Sequence, residues 1–188
     1  GENDQVTVGE IALRQAATQP QRTISSAKRL LGRLYQEIED EEELYPFELC
    51  EHKDGQILVK VEGEAYSPEQ ISALVLGKLK AAAEQYLNGP VSRAIVTVPA
   101  YFDDNQRQAT MEAAREAGLE VLRLLNEPTA AAMAYGLGHE GRETVAVYDF
   151  GGGTFDFSIL EVDGKTFEVL VSTGNSRLGG DDLDTALV

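Results

Sequence analysis

From residue 94 onward, short apolar segments alternate with longer segments of helical pattern. The apolar segments Ala94–Val98 and Val121–Leu125 flank a helical stretch at 103–117, and Thr144–Tyr148 follows an alanine-rich helical stretch at 128–135. Apolar runs of this length predict buried strands. Because strands that alternate with helices form sheets with helices on their faces, the sequence predicts a layered α/β fold.

The first third of the chain has a different pattern. A helical stretch is expected near 25–34, and the acidic block Glu37–Glu43 is most simply a solvated loop. Around the turn signal Asp54–Gly55, alternating apolar residues predict a small antiparallel sheet. Ser67, followed three residues later by Gln70, predicts the capping box of a long helix. We therefore expect a small sheet and a helix ahead of the alternating part.

Composition and charge exclude several classes of function. The 188 residues include 16 Lys and Arg against 32 Asp and Glu, which gives a formal net charge of -16. A surface that follows nucleic-acid phosphates needs the opposite sign, so we expect no nucleic-acid partner, and the charge also favours a monomer. The chain has no apolar run of roughly 18 residues and no basic-then-apolar leader, and its one cysteine, Cys50, cannot form an internal disulfide. These features predict a cytoplasmic protein with no membrane partner.

The strongest local signal for a ligand is a glycine turn between two aspartates. The successive glycines Gly151–Gly153 allow several backbone N–H groups to point the same way, and such a concavity binds phosphate oxygens. Asp149 ends a predicted strand, where it can hold a hydrated divalent cation, and Thr154 adds a hydroxyl donor. The alternative is a plain glycine hairpin loop. The flanking Asp149, Thr154 and Asp156 favour phosphate binding.

Two further residues have both a functional and a plain interpretation. Glu127 lies at a predicted strand-to-helix junction, where open α/β sheets place ligand groups. An acidic residue also stabilises a helix N-terminus without any ligand. Lys28 lies on a predicted helix, where a lysine is most simply exposed to solvent. Position alone leaves these interpretations open.

Five motifs along the chain resemble the nucleotide-binding domain of the 70-kDa heat-shock chaperones, the DnaK class. In chain order they are Lys28–Arg33, Val96–Phe102 with Gln106–Thr110, Asn126–Ala132, Tyr148–Asp156, and Leu178–Asp182. The resemblance covers essentially the whole chain, and the order of the motifs makes it very specific. Smaller features look most like HscA, the member dedicated to iron–sulfur cluster assembly; they lie at Thr23–Ser26, Phe102–Asp104 and Gly180–Leu183.

The resemblance implies an α/β fold of the actin-like ATPase (ribonuclease H-like) type, in which two lobes clamp ATP. Residues 1–66 then correspond to the upper inserted part of lobe I, and residues 67–139 to the end of the lobe I core. Residues 140–188 correspond to the start of the lobe II core with a phosphate-binding loop. The family's N-terminal strand, with its own phosphate loop, and its later adenosine-binding segments have no counterpart in this sequence. We therefore expect most of lobe I, the start of lobe II, and no activity from this fragment alone.

The resemblance also implies roles for charged residues. Lys28 matches the catalytic lysine that helps position the attacking water and offsets charge on the γ-phosphate, facing it from the opposite lobe. Glu127 and Asp149 match carboxylates that hold Mg²⁺ through water, and both belong to the catalytic group. Asp156 matches an acidic group near the bound cation.

The remaining matches concern the phosphates and communication between domains. Gly151–Gly153 and Thr154 match the loop that contacts the β- and γ-phosphates. Pro99 and Arg107 match a pair that relays nucleotide state to the peptide-binding domain. Arg123 matches a basic position near the surface used by J-domain cochaperones and the interdomain linker.

Taken together, the resemblance implies a chaperone ATPase with ATP or ADP, Mg²⁺ and a further K⁺ as cofactors. Nucleotide state would control the capture and release of unfolded or iron–sulfur scaffold peptides by a peptide-binding domain outside these residues. A J-domain cochaperone and a nucleotide exchange factor are the implied partners. Two alternatives share the broad fold. A sugar or acetate kinase would need an acceptor pocket for which the sequence offers no candidate, and an actin-like filament subunit would have to overcome the net charge.

Overall fold

A computed structural model of the chain describes residues 6–136 and 141–187. The chain forms two compact units and passes between them more than once. The first unit comprises Gly1–Ala94 and Asp104–Leu122, and the second comprises Ile95–Asp103 and Arg123–Val188. Helices and strands occur in both units, as an α/β chain requires. The three-part division at 66/67 and 139/140 remains a prediction, and its second boundary lies outside the described residues.

The first unit contains a three-stranded antiparallel sheet, several short helices and two long ones. Its α-helices and strands are α1 (Glu10–Ala16), β1 (Glu48–Glu51), β2 (Ile57–Val61), β3 (Glu64–Tyr66), α2 (Pro68–Leu87) and α3 (Asp104–Glu116). Its 3-10 helices are Pro20–Arg22, Ala27–Arg29, Tyr35–Glu37 and Glu39–Leu44. The sheet order is β1-β2-β3, and Gly55, with φ of 83°, makes the turn between the first two strands. The core of this unit consists of the buried residues Leu30, Ile38, Phe47, Leu49, Ile57, Val59 and Ile71.

Local capping chemistry begins α2 where the sequence predicts it. The backbone N–H of Gln70 donates to Ser67 Oγ at 3.2 Å, and the N–H of Ser67 donates to Gln70 Oε1 at 2.9 Å. This reciprocal capping box satisfies two of the donors that every helix start leaves unpaired. Farther along α2, Lys80 Nζ donates to the carbonyl of Gly118, just beyond the end of α3, at 2.9 Å. The predicted capping box is therefore present, and α2 and α3 pack against each other.

Two expectations for the first unit are wrong. The helix expected near 25–34 is only the short 3-10 helix Ala27–Arg29, because Gly32 has φ of 69° and lies directly against the backbone of Gln106. The acidic block is not simply a solvated loop. It forms the 3-10 helix Glu39–Leu44, and Glu41 is 5% exposed and 3.6 Å from the guanidinium of Arg33. Long-range packing determines the conformation of both segments, and a local sequence pattern does not contain that information.

The second unit contains most of the strand–helix alternation. Its elements are β4 (Arg93–Val98), β5 (Glu120–Asn126), α4 (Glu127–Gly136), β6 (Arg142–Phe150), β7 (Phe155–Asp163), β8 (Thr166–Asn175) and α5 (Gly180–Leu187). Strands β4 and β5 pair with each other, and their C-terminal halves belong to this unit. Strands β6, β7 and β8 form an antiparallel sheet in that order. None of the described helices is long and apolar enough to cross a membrane.

The β6-β7-β8 sheet is covered on one face. Helix α4 packs there through Ala132 against Leu160 and Val162, which are buried. On the opposite face, the rings of Tyr148 and Phe155 lie 5.0 Å apart, and Tyr148 is 67% exposed. The expectation that 144–148 forms a fully buried strand is therefore wrong, because only its alternate residues face α4. The β6–β7 hairpin is therefore anchored by its buried core contacts with α4.

Candidate functional site

The predicted glycine turn joins two strands that pair in register up to the turn itself. Asp149 lies opposite Asp156, and Phe150 lies opposite Phe155. The backbone N–H of Gly151 donates to the carbonyl of Thr154 at 2.9 Å and closes the loop. The sequence prediction of a tight turn between antiparallel strands is therefore confirmed.

The conformation of this turn does not explain why it contains glycine. Neither Gly151 nor Gly152 has a positive φ. A Cβ added at Gly151 would meet nothing nearer than the carbonyl oxygen of Thr154 at 3.6 Å, and one at Gly152 would meet Asp181 Oδ1 at 3.5 Å. Both are ordinary contacts, so neither strain nor crowding requires glycine at these two positions. Glycine at these two positions leaves the backbone without side-chain atoms, which allows an anion to approach its N–H groups.

Two carboxylates flank the turn on the same face of the hairpin. Asp149 and Asp156 are cross-strand neighbours, and Asp156 is 5% exposed. Like charges directly opposite each other destabilise a strand pair. A cation beside these two carboxylates would remove that cost, so their arrangement suits a positively charged ligand.

The pKa of Tyr101, which follows β4, indicates that a third carboxylate lies within electrostatic range of this residue. Its burial, followed by the negative charges of Asp156, Glu127 and Asp149, raises the pKa of Tyr101 to about 12. The phenol therefore lies within electrostatic reach of all three carboxylates. Glu127, at the start of α4, and the two aspartates of the hairpin therefore share Tyr101 as an electrostatic neighbour.

The donor set fits a hydrated cation better than a closed metal cage. Within residues 6–136 and 141–187, no group of three or more His, Cys, Asp or Glu side chains is arranged to hold a metal ion by itself. Mg²⁺ keeps several waters and is usually bound by one or two carboxylates together with substrate phosphates. Glu127 and Asp149 fit that pattern, with the glycine turn next to Asp149.

The other predicted site residues are distributed over both units. Lys28 lies in the 3-10 helix Ala27–Arg29, and Arg107 lies in α3, both in the first unit. Pro99 and Arg123 lie in the second unit with the glycine turn, and Pro99 is fully buried. Their expected roles in catalysis and in domain communication remain predictions.

Sequence reasoning assigned no role to two features of the site. Tyr101 lies in the Val96–Phe102 motif, just after β4. Its position at the end of an apolar strand could have marked it as a residue of the site. The second feature is the start of α5, where the N–H groups of Gly180 and Asp181 donate to the carbonyls of Gly151 and Gly152 at 3.0 Å and 2.9 Å. Paired glycines ahead of a helix were the signal there.

A glycine turn with adjacent carboxylates is the arrangement that the sequence predicts as a phosphate site of an α/β protein, and comparison with known proteins identifies the family. A family model described as "Hsp70 protein" matches residues 1–188, so the chain belongs to the Hsp70 family. The "Mitochondrial-type heat shock protein 70" of Encephalitozoon cuniculi (strain GB-M1) is 50% identical over 187 residues. That match covers 98% of this chain and 32% of the relative, so the chain spans about a third of the relative's length.

The comparisons confirm one expectation and overturn another. The family match confirms the actin-like α/β fold that the motifs imply. The expected cytoplasmic location is wrong, because a relative that is 50% identical over the matched residues is of the mitochondrial type and points away from a plain cytoplasmic location. Charge, a single cysteine and the lack of a visible leader do not distinguish the two compartments.

Proposed function

We propose that this chain is the nucleotide-binding part of an Hsp70 chaperone and that the phosphates of ATP or ADP bind at the glycine turn. The observation that carries this proposal is a tight turn that holds glycine where neither strain nor crowding requires it, between the opposed carboxylates of Asp149 and Asp156. Membership in the Hsp70 family supports it independently. In the whole protein, ATP hydrolysis would drive the capture and release of peptides.

Different residues around the turn bind the phosphates and the cation. The backbone N–H groups of Gly152 and Gly153 and the hydroxyl of Thr154 donate to the β- and γ-phosphate oxygens, while the N–H of Gly151 closes the turn through the carbonyl of Thr154. Glu127 and Asp149 would hold Mg²⁺ through its bound water, and Asp156 would place its charge near a cation, for which K⁺ is a further candidate. When bound, Mg²⁺ neutralises charge on the phosphate oxygens.

Hydrolysis in this proposal is a direct attack of water on the γ-phosphate without a covalent intermediate. The ammonium of Lys28 donates a hydrogen bond to the attacking water and offsets the charge that develops on the phosphate. Pro99, Arg107 and Arg123 carry the nucleotide state toward the peptide-binding domain and a J-domain cochaperone.

Membership of the Hsp70 family supports general partners but no particular subtype. Unfolded peptides are the proposed substrates, and a J-domain cochaperone and a nucleotide exchange factor are the proposed partners. The finer assignment to HscA, with iron–sulfur scaffold peptides as clients, gains no support from the mitochondrial-type relative. The kinase and filament alternatives are not favoured for a member of the Hsp70 family.

The first test is calorimetric titration of the 188-residue chain with MgATP and MgADP. Asp149→Asn removes one charge at constant size and should weaken binding strongly. Asp163→Asn is the matched control, because Asp163 lies at the other end of the same hairpin, opposite Arg142. Equal affinities for the two variants would refute the assignment of the turn.

A second test examines hydrolysis in a full-length setting. The 187 matched residues would replace the corresponding segment of the Encephalitozoon relative. We expect the chimera to hydrolyse ATP, and Lys28→Ala and Asp149→Asn to abolish turnover. A folded chimera that binds MgATP without hydrolysing it would restrict the proposal to nucleotide binding.

A further inference from the structure

The start of α5 is attached to the glycine turn through the backbone. The N–H of Gly180 donates to the carbonyl of Gly151 at 3.0 Å, and the N–H of Asp181 donates to the carbonyl of Gly152 at 2.9 Å. Both acceptors belong to the turn that the proposed function assigns to phosphate. The first turn of α5 therefore holds two successive peptide groups of the β6–β7 loop.

The hydrogen bonds to these two carbonyls also fix the direction of two backbone N–H groups in the turn. A trans peptide group is planar, and its C=O and N–H point in opposite directions. The carbonyl of Gly151 shares a peptide group with the N–H of Gly152, and the carbonyl of Gly152 shares one with the N–H of Gly153. With the carbonyls directed at α5, these two N–H groups are directed away from it.

Gly179 is the residue that permits this close approach. A Cβ added there would lie 2.2 Å from the carbonyl oxygen of Gly152 and 2.7 Å from the nitrogen of Gly153, which no side chain can occupy. The N–H of Gly179 donates to Asp182 Oδ2 at 2.8 Å, in the manner of a capping-box residue at the third helical position. The carboxylate of Asp182 thus fixes Gly179 against the turn.

We propose that Gly179 is a positioning residue for the phosphate site, and that Leu178–Asp182 is the segment that aims the N–H donors of Gly152 and Gly153. The inference rests on the proposed function, since it deepens the role of the same turn. Gly179 contacts no phosphate itself. It acts through the peptide group that it packs against, and any side chain there would rotate that peptide group.

The first experiment needs no nucleotide and uses residue-resolved amide hydrogen exchange on the 188-residue chain. In the parent protein, the amides of Gly180 and Asp181 should exchange slowly, because both are hydrogen-bonded. Gly179→Ala should accelerate both roughly tenfold or more, as expected for the loss of a hydrogen bond, while amides of β7 keep their rates. Gly136→Ala is the matched control, because its added methyl would meet Phe167 at 3.7 Å and Val162 at 3.9 Å, which are ordinary contacts.

The second experiment measures binding of MgATP and of inorganic pyrophosphate by the same variants. Gly179→Ala should weaken both roughly tenfold or more, and Gly136→Ala should bind like the parent. Asp182→Asn, a milder change of equal size, should weaken binding in the same direction. Leu160→Val serves as a stability control, because it lowers stability from the α4 side of the sheet and should leave pyrophosphate affinity unchanged.

The outcomes separate this inference from the proposed function. Fast exchange at Gly180 and Asp181 in the parent, or parental pyrophosphate affinity in Gly179→Ala, would overturn the positioning role. An affinity loss equal to that of Leu160→Val would overturn it as well, because the effect would then be one of general stability. Slow exchange that Gly179→Ala abolishes, together with no MgATP binding by the folded chimera with the Encephalitozoon relative, would support the positioning segment and refute nucleotide binding at the turn.

Discussion

Gly152→Ala is the substitution that best separates a structural glycine from a functional one. Gly152 lacks a positive φ, and the nearest atom to its added methyl would be Asp181 Oδ1 at 3.5 Å. Nothing in the hairpin must move to accept alanine. We therefore expect a change in the free energy of unfolding within about 0.5 kcal/mol, or a gain of up to about 1 kcal/mol from the stiffer unfolded chain.

The same methyl group should be costly for binding. It would occupy space beside the N–H groups that we propose to hold the phosphates. Losing one hydrogen bond to a charged group costs about 1.5–3 kcal/mol, which corresponds to a roughly 10- to 100-fold weaker affinity for MgATP. Urea unfolding gives the stability term, and calorimetry gives the affinity.

Gly164→Ala is a control on the same sheet, at a position where the backbone conformation and not a ligand favours glycine. Gly164, in the turn between β7 and β8, has open space around it but a φ of 57°. Alanine there should lower stability by about 1–2 kcal/mol because of its left-handed backbone, and it should leave MgATP affinity unchanged. A Gly152→Ala protein that is destabilised as much as Gly164→Ala, or that binds MgATP like the parent, would refute the reasoning.

Three further measurements test the fold around the site. Ser67→Ala should cost about 1 kcal/mol of unfolding free energy in urea, because it removes the cap of α2, and no loss would show that the cap is dispensable. Leu160→Ala should cost about 2.7–5 kcal/mol, whereas Leu170→Ala, at a residue 53% exposed, should cost less than about 1 kcal/mol; equal losses would contradict the assigned core. The pKa of Tyr101 rises from 10.0 to about 12 on folding, so its contribution to stability is complete below pH 10 and is lost as the pH rises to 12. Tyr101→Phe should remove a late-titrating tyrosine from the ultraviolet absorbance curve, and an unchanged curve would contradict the cluster of charges around it.

Features that depend on neighbouring residues could be predicted from the sequence. The capping box at Ser67 and the hairpin turn at Asp54–Gly55 follow from chemistry within a few residues, and the structure contains both. The glycine turn at Gly151–Gly153 belongs to the same group. Strand–helix alternation likewise predicted the α/β class, since periodicity is a local property.

Features that depend on distant partners could not be predicted. The segment around Lys28 has the composition of a helix, but the contact of Gly32 with Gln106 limits it to one short turn. The role inferred for Gly179 requires the knowledge that it lies against Gly152, and no local pattern contains that information. The chemical environment of Tyr101 is likewise set by carboxylates far along the chain.

The alternation of side chains along β7 limits how the length of this protein can vary. Asp156 and Leu160 lie on the same face of the strand, one beside the turn and the other beneath α4. Inserting a single residue between them would move one of the two to the opposite face, so either the carboxylate or the core contact would be lost. Inserting two residues would restore both. Natural or engineered changes of length in this strand should therefore occur in even steps, except where a bulge takes up the extra residue, as the register shift at Leu170 of the neighbouring β8 already does.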